Sequence, residues 1–89
     1  MAVGVLGGAG IGNGSPSFTV YAVPAGISYA VVHVYFRGPA AVAAGGTGIG
    51  QTSSSLVLGT GQGITAASTA APLSFGAPGR VLVTGYEVP

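Results

Sequence analysis

Residues 18–36 read FTVYAVPAGISYAVVHVYF, two runs of β-branched and aromatic residues broken by Pro24-Ala25-Gly26. Proline fixes φ and glycine accepts positive φ, so the tripeptide is a turn signal, and the flanking runs favour a pleated backbone. Side chains alternate between the two faces of a strand. In the second run Ile27, Tyr29, Val31, His33 and Tyr35 share one face, while Ser28, Ala30, Val32, Val34 and Phe36 share the other. Both faces are mostly apolar, which predicts burial on both. Joined by so short a loop, 18–23 and 27–36 are expected to pair as an antiparallel hairpin.

The far end repeats the pattern. Gly76-Ala77-Pro78-Gly79 reads as a turn and 80–88 (RVLVTGYEV) as the last strand. There Val81, Val83, Gly85 and Glu87 alternate with Arg80, Leu82, Thr84, Tyr86 and Val88. Gly85 is expected to mark a bulge or a close backbone approach. Shorter strands are expected at 2–6, 40–44, 55–58, 64–68 and 73–75. Alanine-rich 65–71 runs into Pro72 and is read as strand or loop. Short strands separated by Gly and Pro predict an all-β chain, a small antiparallel β-sandwich or barrel-like domain. The glycine clusters at 7–14, 45–50 and 59–63 are read as loops or linkers, too unevenly spaced for a repeat. The first of them, with Pro16, sets a Gly-rich N-terminal arm at 1–16 apart from a single sandwich domain at 17–89. That arm is expected either to lie on a neighbouring subunit or to fray.

Arg37, Arg80 and Glu87 are the only charged side chains in 89 residues, and the formal net charge is +1. Ordinary domains carry about a quarter of their residues as Asp, Glu, Lys or Arg. Such charge keeps folded monomers apart, so this chain is expected to self-associate, its surface met by other protein or by lipid. Lipid is the poorer reading. A spanning helix needs about 20 apolar residues. The longest apolar run, 22–36, is interrupted by Pro24, Gly26, Ser28 and His33 and has no basic cluster beside it. The first residues also lack the basic region of a signal peptide. Disorder is a poor reading of a composition that is 48% hydrophobic. A chain of this mass exposes roughly 12,000 Å² when extended and about 4,600 Å² when folded. That supports one core worth about 5 kcal/mol or less. Without cysteine there is no disulfide to add to it, so oligomerisation is the remaining stabiliser.

Little chemistry is open to such a chain. His33 is the only imidazole and Glu87 the only carboxylate side chain, so neither a two-carboxylate mechanism nor a metal site of several ligands can be built. Ser–His33–Glu87 is the one triad the composition allows, and no G-x-S-x-G motif accompanies it. Glycine-rich 8–12 and 59–63 do not complete G-x-G-x-x-G, and the absence of Lys rules out a Walker A loop. Two arginines cannot line a nucleic acid. No enzyme activity, cofactor, metal, nucleic-acid or membrane partner is therefore expected. His33, alternating with aromatics, reads as a buried, hydrogen-bonded or interface residue. Arg37 and Arg80 stand beside turns and either pair with Glu87, the C-terminal carboxylate or a neighbour's carboxylate, or remain solvated. A chain this small builds one core, so one face of 27–36 packs inside and the other meets a partner. Aromatic residues dominate interface hot spots, which makes Tyr29, Val31, His33 and Tyr35 the expected interface.

Thr19-Val20-Tyr21-Ala22-Val23-Pro24-Ala25-Gly26, running into an apolar strand, and a last strand led by Pro78-Gly79-Arg80 resemble small all-β structural proteins of tailed bacteriophages. Many of these carry a TVPAG-like strand–turn–strand entry and a late PG turn; here the run is AVPAG. The resemblance covers about residues 18–88. It implies a non-enzymatic virion structural protein, a homo-oligomeric capsid decoration or stabilising subunit. Its partners would be other copies and a major capsid or tail protein, bound through apolar strands and backbone hydrogen bonds. The alternatives are a collar or tail component, or a microbial surface filament subunit assembled by strand addition.

Overall fold

β-Branched and aromatic residues hold 29–37 in the pleat, and the rest of the chain winds around that strand. The computed structural model describes residues 3–72 and 78–89. Its strands are β1 (Val3–Ile11), β2 (Phe18–Ala22), β3 (Tyr29–Arg37), β4 (Ala40–Ala44), β5 (Thr47–Ile49), β6 (Ser53–Gly59), β7 (Gly63–Ser68) and β8 (Gly79–Val88). They form two four-stranded antiparallel sheets, sheet A in the order β1-β8-β3-β6 and sheet B in the order β2-β7-β4-β5. First pairs with last, second with seventh, third with sixth and fourth with fifth. The chain is thus one long hairpin rolled into two layers, the strand order of a jelly roll. The expected all-β sandwich is present, and it does not close into a barrel.

Between the layers Ile11, Val32, Val34, Ile64, Val81 and Val83 are fully buried. Each such side chain contributes roughly 1.5–3 kcal/mol. Buried Ala30 and Ala66 sit among them and let the layers approach. The accessible surface, 4783 Å², is close to the value of about 4,600 Å² for a compact monomer of this mass.

The expected hairpin of 18–23 with 27–36 does not form. β2 pairs with β7 in sheet B, whereas β3 lies between β8 and β6 in sheet A. A turn is present where it was expected, with the Ile27 N–H donating to the Pro24 carbonyl at 3.2 Å. Residues 23–28 nevertheless carry the chain across the sandwich, and Val23, 2% exposed, seals the core on the way. β3 gains nine paired positions with β8 and seven with β6, more than the five residues of β2 could offer.

Two of the glycine clusters also contain strands. β1 runs through Gly7, Gly8 and Gly10 to Ile11, so residues 3–11 of the expected arm are paired with β8 inside sheet A. Ladder bonds are made by backbone and need no side chain. At Gly7 a side chain is excluded, since a Cβ would stand 2.6 Å from the Val20 carbonyl oxygen of β2. β5 similarly lies within 45–50, entered by a turn at Gly45-Gly46, while 59–63 turns the chain from β6 into β7. The strand expected at 73–75 lies outside the described residues, as do Gly76 and Ala77 of the turn before β8.

Gly85 is a close approach rather than a bulge. Its φ is +143°, and a Cβ there would come 2.0 Å from the Val31 carbonyl oxygen. The bulge falls instead on β1, between Val5 and Gly7. Gly85→Ala is expected to cost on the order of 3 kcal/mol or more through strain and backbone displacement. That is most of the stability of so small a domain, and urea unfolding should show it. A midpoint like that of the unchanged chain would mean that β3 and β8 can separate without cost.

Candidate protein-binding face

Cross-strand register stacks the outward side chains of sheet A in rows. Val3, Tyr86, Val31 and Val57 cross β1, β8, β3 and β6, and Val5, Thr84, His33 and Ser55 form the next row. Leu82, Tyr35 and Ser53 make a third. Val88 and Tyr29 close one end of the face, and Arg80 and Arg37 the other. Among the described residues, Val3, Val5, Tyr29, Tyr35, Val57, Leu82 and Tyr86 are the large hydrophobics left exposed, from 38% for Leu82 to 73% for Val3. Every one of them is on this face. Four strands about 4.8 Å apart and the length of β8 at about 3.3 Å per residue give it roughly 600 Å². A standard interface takes about 800 Å² from each partner. Sheet B is different: its outward side chains include Thr19, Thr65, Ala41, Ala43 and Ala67, all small and uncharged.

Burial on both sides of 27–36, expected from its composition, is found on one side only. Val32, Val34 and Phe36 are buried between the layers, while Tyr29, His33 and Tyr35 are exposed and Val31 is half-buried. The four residues expected at an interface project outward together. Leu82, Tyr86, Val57, Val3 and Val5 were not anticipated there. Alternation placed Leu82 and Tyr86 on one side of their strand, but only the register with β3 makes that side the outer one.

His33 is held at both ring nitrogens. Nδ1 lies 3.1 Å from Ser55 Oγ and Nε2 2.9 Å from Ser53 Oγ. Whichever nitrogen carries the proton donates to one hydroxyl, and the other accepts from the second. Glu87 is opposite Ala30 on the inner face of the same sheet. Imidazole and carboxylate therefore point to opposite sides, and no Ser–His33–Glu87 relay is assembled. Among the described residues no group of three or more His, Cys, Asp or Glu could hold a metal ion.

Glu87 is buried, and Tyr21 on β2 donates its hydroxyl to Oε2 at 2.7 Å, tying sheet B to sheet A. The pairing of Glu87 with Arg37 or Arg80 does not occur within the chain, because the arginines lie at the other end of β8 on the outer face. No family model matches the chain, and neither curated proteins nor solved structures give a significant match.

Burial, then the hydrogen bond and charge of Glu87, push the Tyr21 hydroxyl up from its ordinary 10.0 to about 12. The folded chain keeps this proton where the unfolded chain has released it. Its contribution to stability is therefore complete below pH 10 and is lost as pH rises toward about 12. Tyr21→Phe should remove that part of the alkaline loss and should cost about 1–3 kcal/mol at neutral pH, the loss of one hydrogen bond to a buried charged group. Denaturant midpoints of both chains across this range check it. An equal alkaline fall in the two would detach the effect from Tyr21.

Proposed function

We propose that the chain is a non-enzymatic structural subunit of a bacteriophage virion, a capsid decoration or stabilising protein that binds through the outer face of sheet A. One observation carries this reading: every large exposed hydrophobic among the described residues lies on that single face. Apolar surface left in water forgoes about 25 cal/mol per Å². With three charged side chains in the whole chain, little repulsion opposes its coverage by protein. The resemblance of 19–26 and 78–80 to phage structural proteins supplies the class. Jelly-roll strand order is shared with viral capsid domains among others, which is support by analogy of fold. On a lattice, repeated weak contacts gain from effective concentration, so a face somewhat below standard size suffices.

A collar or tail component would use the same face. The filament reading draws support from one sheet edge. β1 and β2 are broken by register shifts and β5 is three residues long, but β6 runs seven residues in unbroken register without charge or proline. Such an edge is open to strand addition.

Tyr29→Ala with Tyr35→Ala is expected to preserve the β circular dichroism while abolishing self-association in sedimentation and incorporation into particles. Val34→Asp, which buries an unpaired charge, is expected to unfold the chain. A native chain that stays monomeric at high concentration and does not bind capsids would overturn the proposal. Electron microscopy separates the two modes of assembly, since heterologous strand addition yields open filaments.

A further inference from the structure

The only two cationic side chains of this protein finish side by side. Arg37 on β3 and Arg80 on β8 are a directly opposed pair, and both are exposed. Such partners lie about 5 Å apart, where like charges oppose strand pairing. No carboxylate side chain of the chain relieves them, because Glu87, the only one, points into the core at the far end of β8. Beside the arginines is a recess of about 310 Å³, walled by Tyr35 and Leu82 and reaching Gly8. On β1 the positions opposite Leu82 and Arg80 are Gly8 and Gly10, so that strand sends no side chain over the recess. Nothing stands within 4 Å of where a Cβ of Gly10 would be. Two guanidinium forks above an apolar wall suit a carboxylate on an aliphatic stem, which arginine binds in bidentate fashion.

We infer that Arg37 and Arg80 form a binding site for a carboxylate side chain of a partner protein of different sequence, seated in the recess between Tyr35 and Leu82. The inference rests on the docking face proposed above and names the chemistry its partner brings to one end of it. A second copy of this chain has no such side chain to offer, since its Glu87 is buried and bonded by Tyr21. Nucleic acid fits less well. Proteins that hold duplex DNA by its backbone neutralise about six to ten phosphates, and the surface around these two arginines is apolar rather than basic.

With two arginines in the chain, two side-chain Nε–H resonances of a ¹⁵N-labelled sample report the site directly. The probe is a Glu-Glu dipeptide blocked at both ends, added to dilute protein at low salt. The blocked Gln-Gln dipeptide and inorganic phosphate serve as comparisons at equal ionic strength. Saturable shifts of both resonances are expected with the Glu probe and none with the Gln probe. Arg37→Gln or Arg80→Gln should weaken binding about ten-fold or more, the loss of a charge-assisted bond. Each variant should also hold or raise Tm, because it removes a like-charge contact. Resonances that ignore the Glu probe overturn the inference, as does phosphate binding more tightly than the carboxylate. A lowered Tm in either variant overturns it as well, by showing that the arginine serves the fold. The readout is independent of assembly. Association without peptide binding removes this inference alone, whereas peptide binding by a chain that remains monomeric and outside virions removes the proposed function alone.

Discussion

The nine-position ladder between β3 and β8 is the contact on which the roll depends. It joins the first half of the chain to its last strand, so sheet A has no centre until residues 79–88 arrive. Its register also decides what is inside. A slip by one residue would turn Tyr29, His33 and Tyr35 into the core and expel Val32, Val34 and Phe36. Two contacts oppose that slip. The Val31 carbonyl can approach β8 so closely only where Gly85 stands, and the Tyr21–Glu87 bond anchors β8 to the opposite layer.

Given that register, the distribution of side chains follows from size. Valine, isoleucine and alanine fill the thin space between the sheets, and the tyrosines, too large for it, are mostly turned out. Tyr21 is the exception, and its hydroxyl is the reason: it donates to the buried Glu87 carboxylate. Eighteen glycines add a cost, since each has a large backbone entropy to lose on ordering. A small core with so many flexible links has little stability in reserve. Binding to the folded state adds to it by mass action, and this is a physical reason for such a chain to work as part of an assembly.

The strands read at 18–23, 27–36 and 80–88 were legible because a period of two in β-branched and aromatic residues is a local signal, and those at 40–44, 55–58 and 64–68 because Gly and Pro set off short apolar runs. Their partners were not. Pro24-Ala25-Gly26 makes a turn in a hairpin and in a crossing between layers alike, and the choice lies with β6 and β8, tens of residues downstream. β1 was read short for another reason. Gly7, Gly8 and Gly10 carry no side-chain pattern, yet their backbone groups pair as well as any. The candidate face was half legible on the same terms. Alternation grouped Tyr29 with Val31, His33 and Tyr35, and their size pointed outward. Nothing in the order of residues brings Val3 and Val57 into line with Tyr86.

The sparse charges divide the face into two unlike ends. At one end Tyr29 and Val88 close it with apolar side chains. At the other, Arg37 and Arg80 stand over a recess left open by glycines on β1. A partner docked as proposed would gain affinity from the apolar rows and its orientation from the charged end, the division of labour usual at interfaces. The same end works against wrong partners. Two copies brought together arginine end to arginine end would set four cations against one another with no carboxylate side chain to separate them, and like charges at an interface cost several kcal/mol. Face-to-face pairing of copies is thereby confined to arrangements that keep those ends apart, and the charged corner is left for a molecule that brings the missing sign.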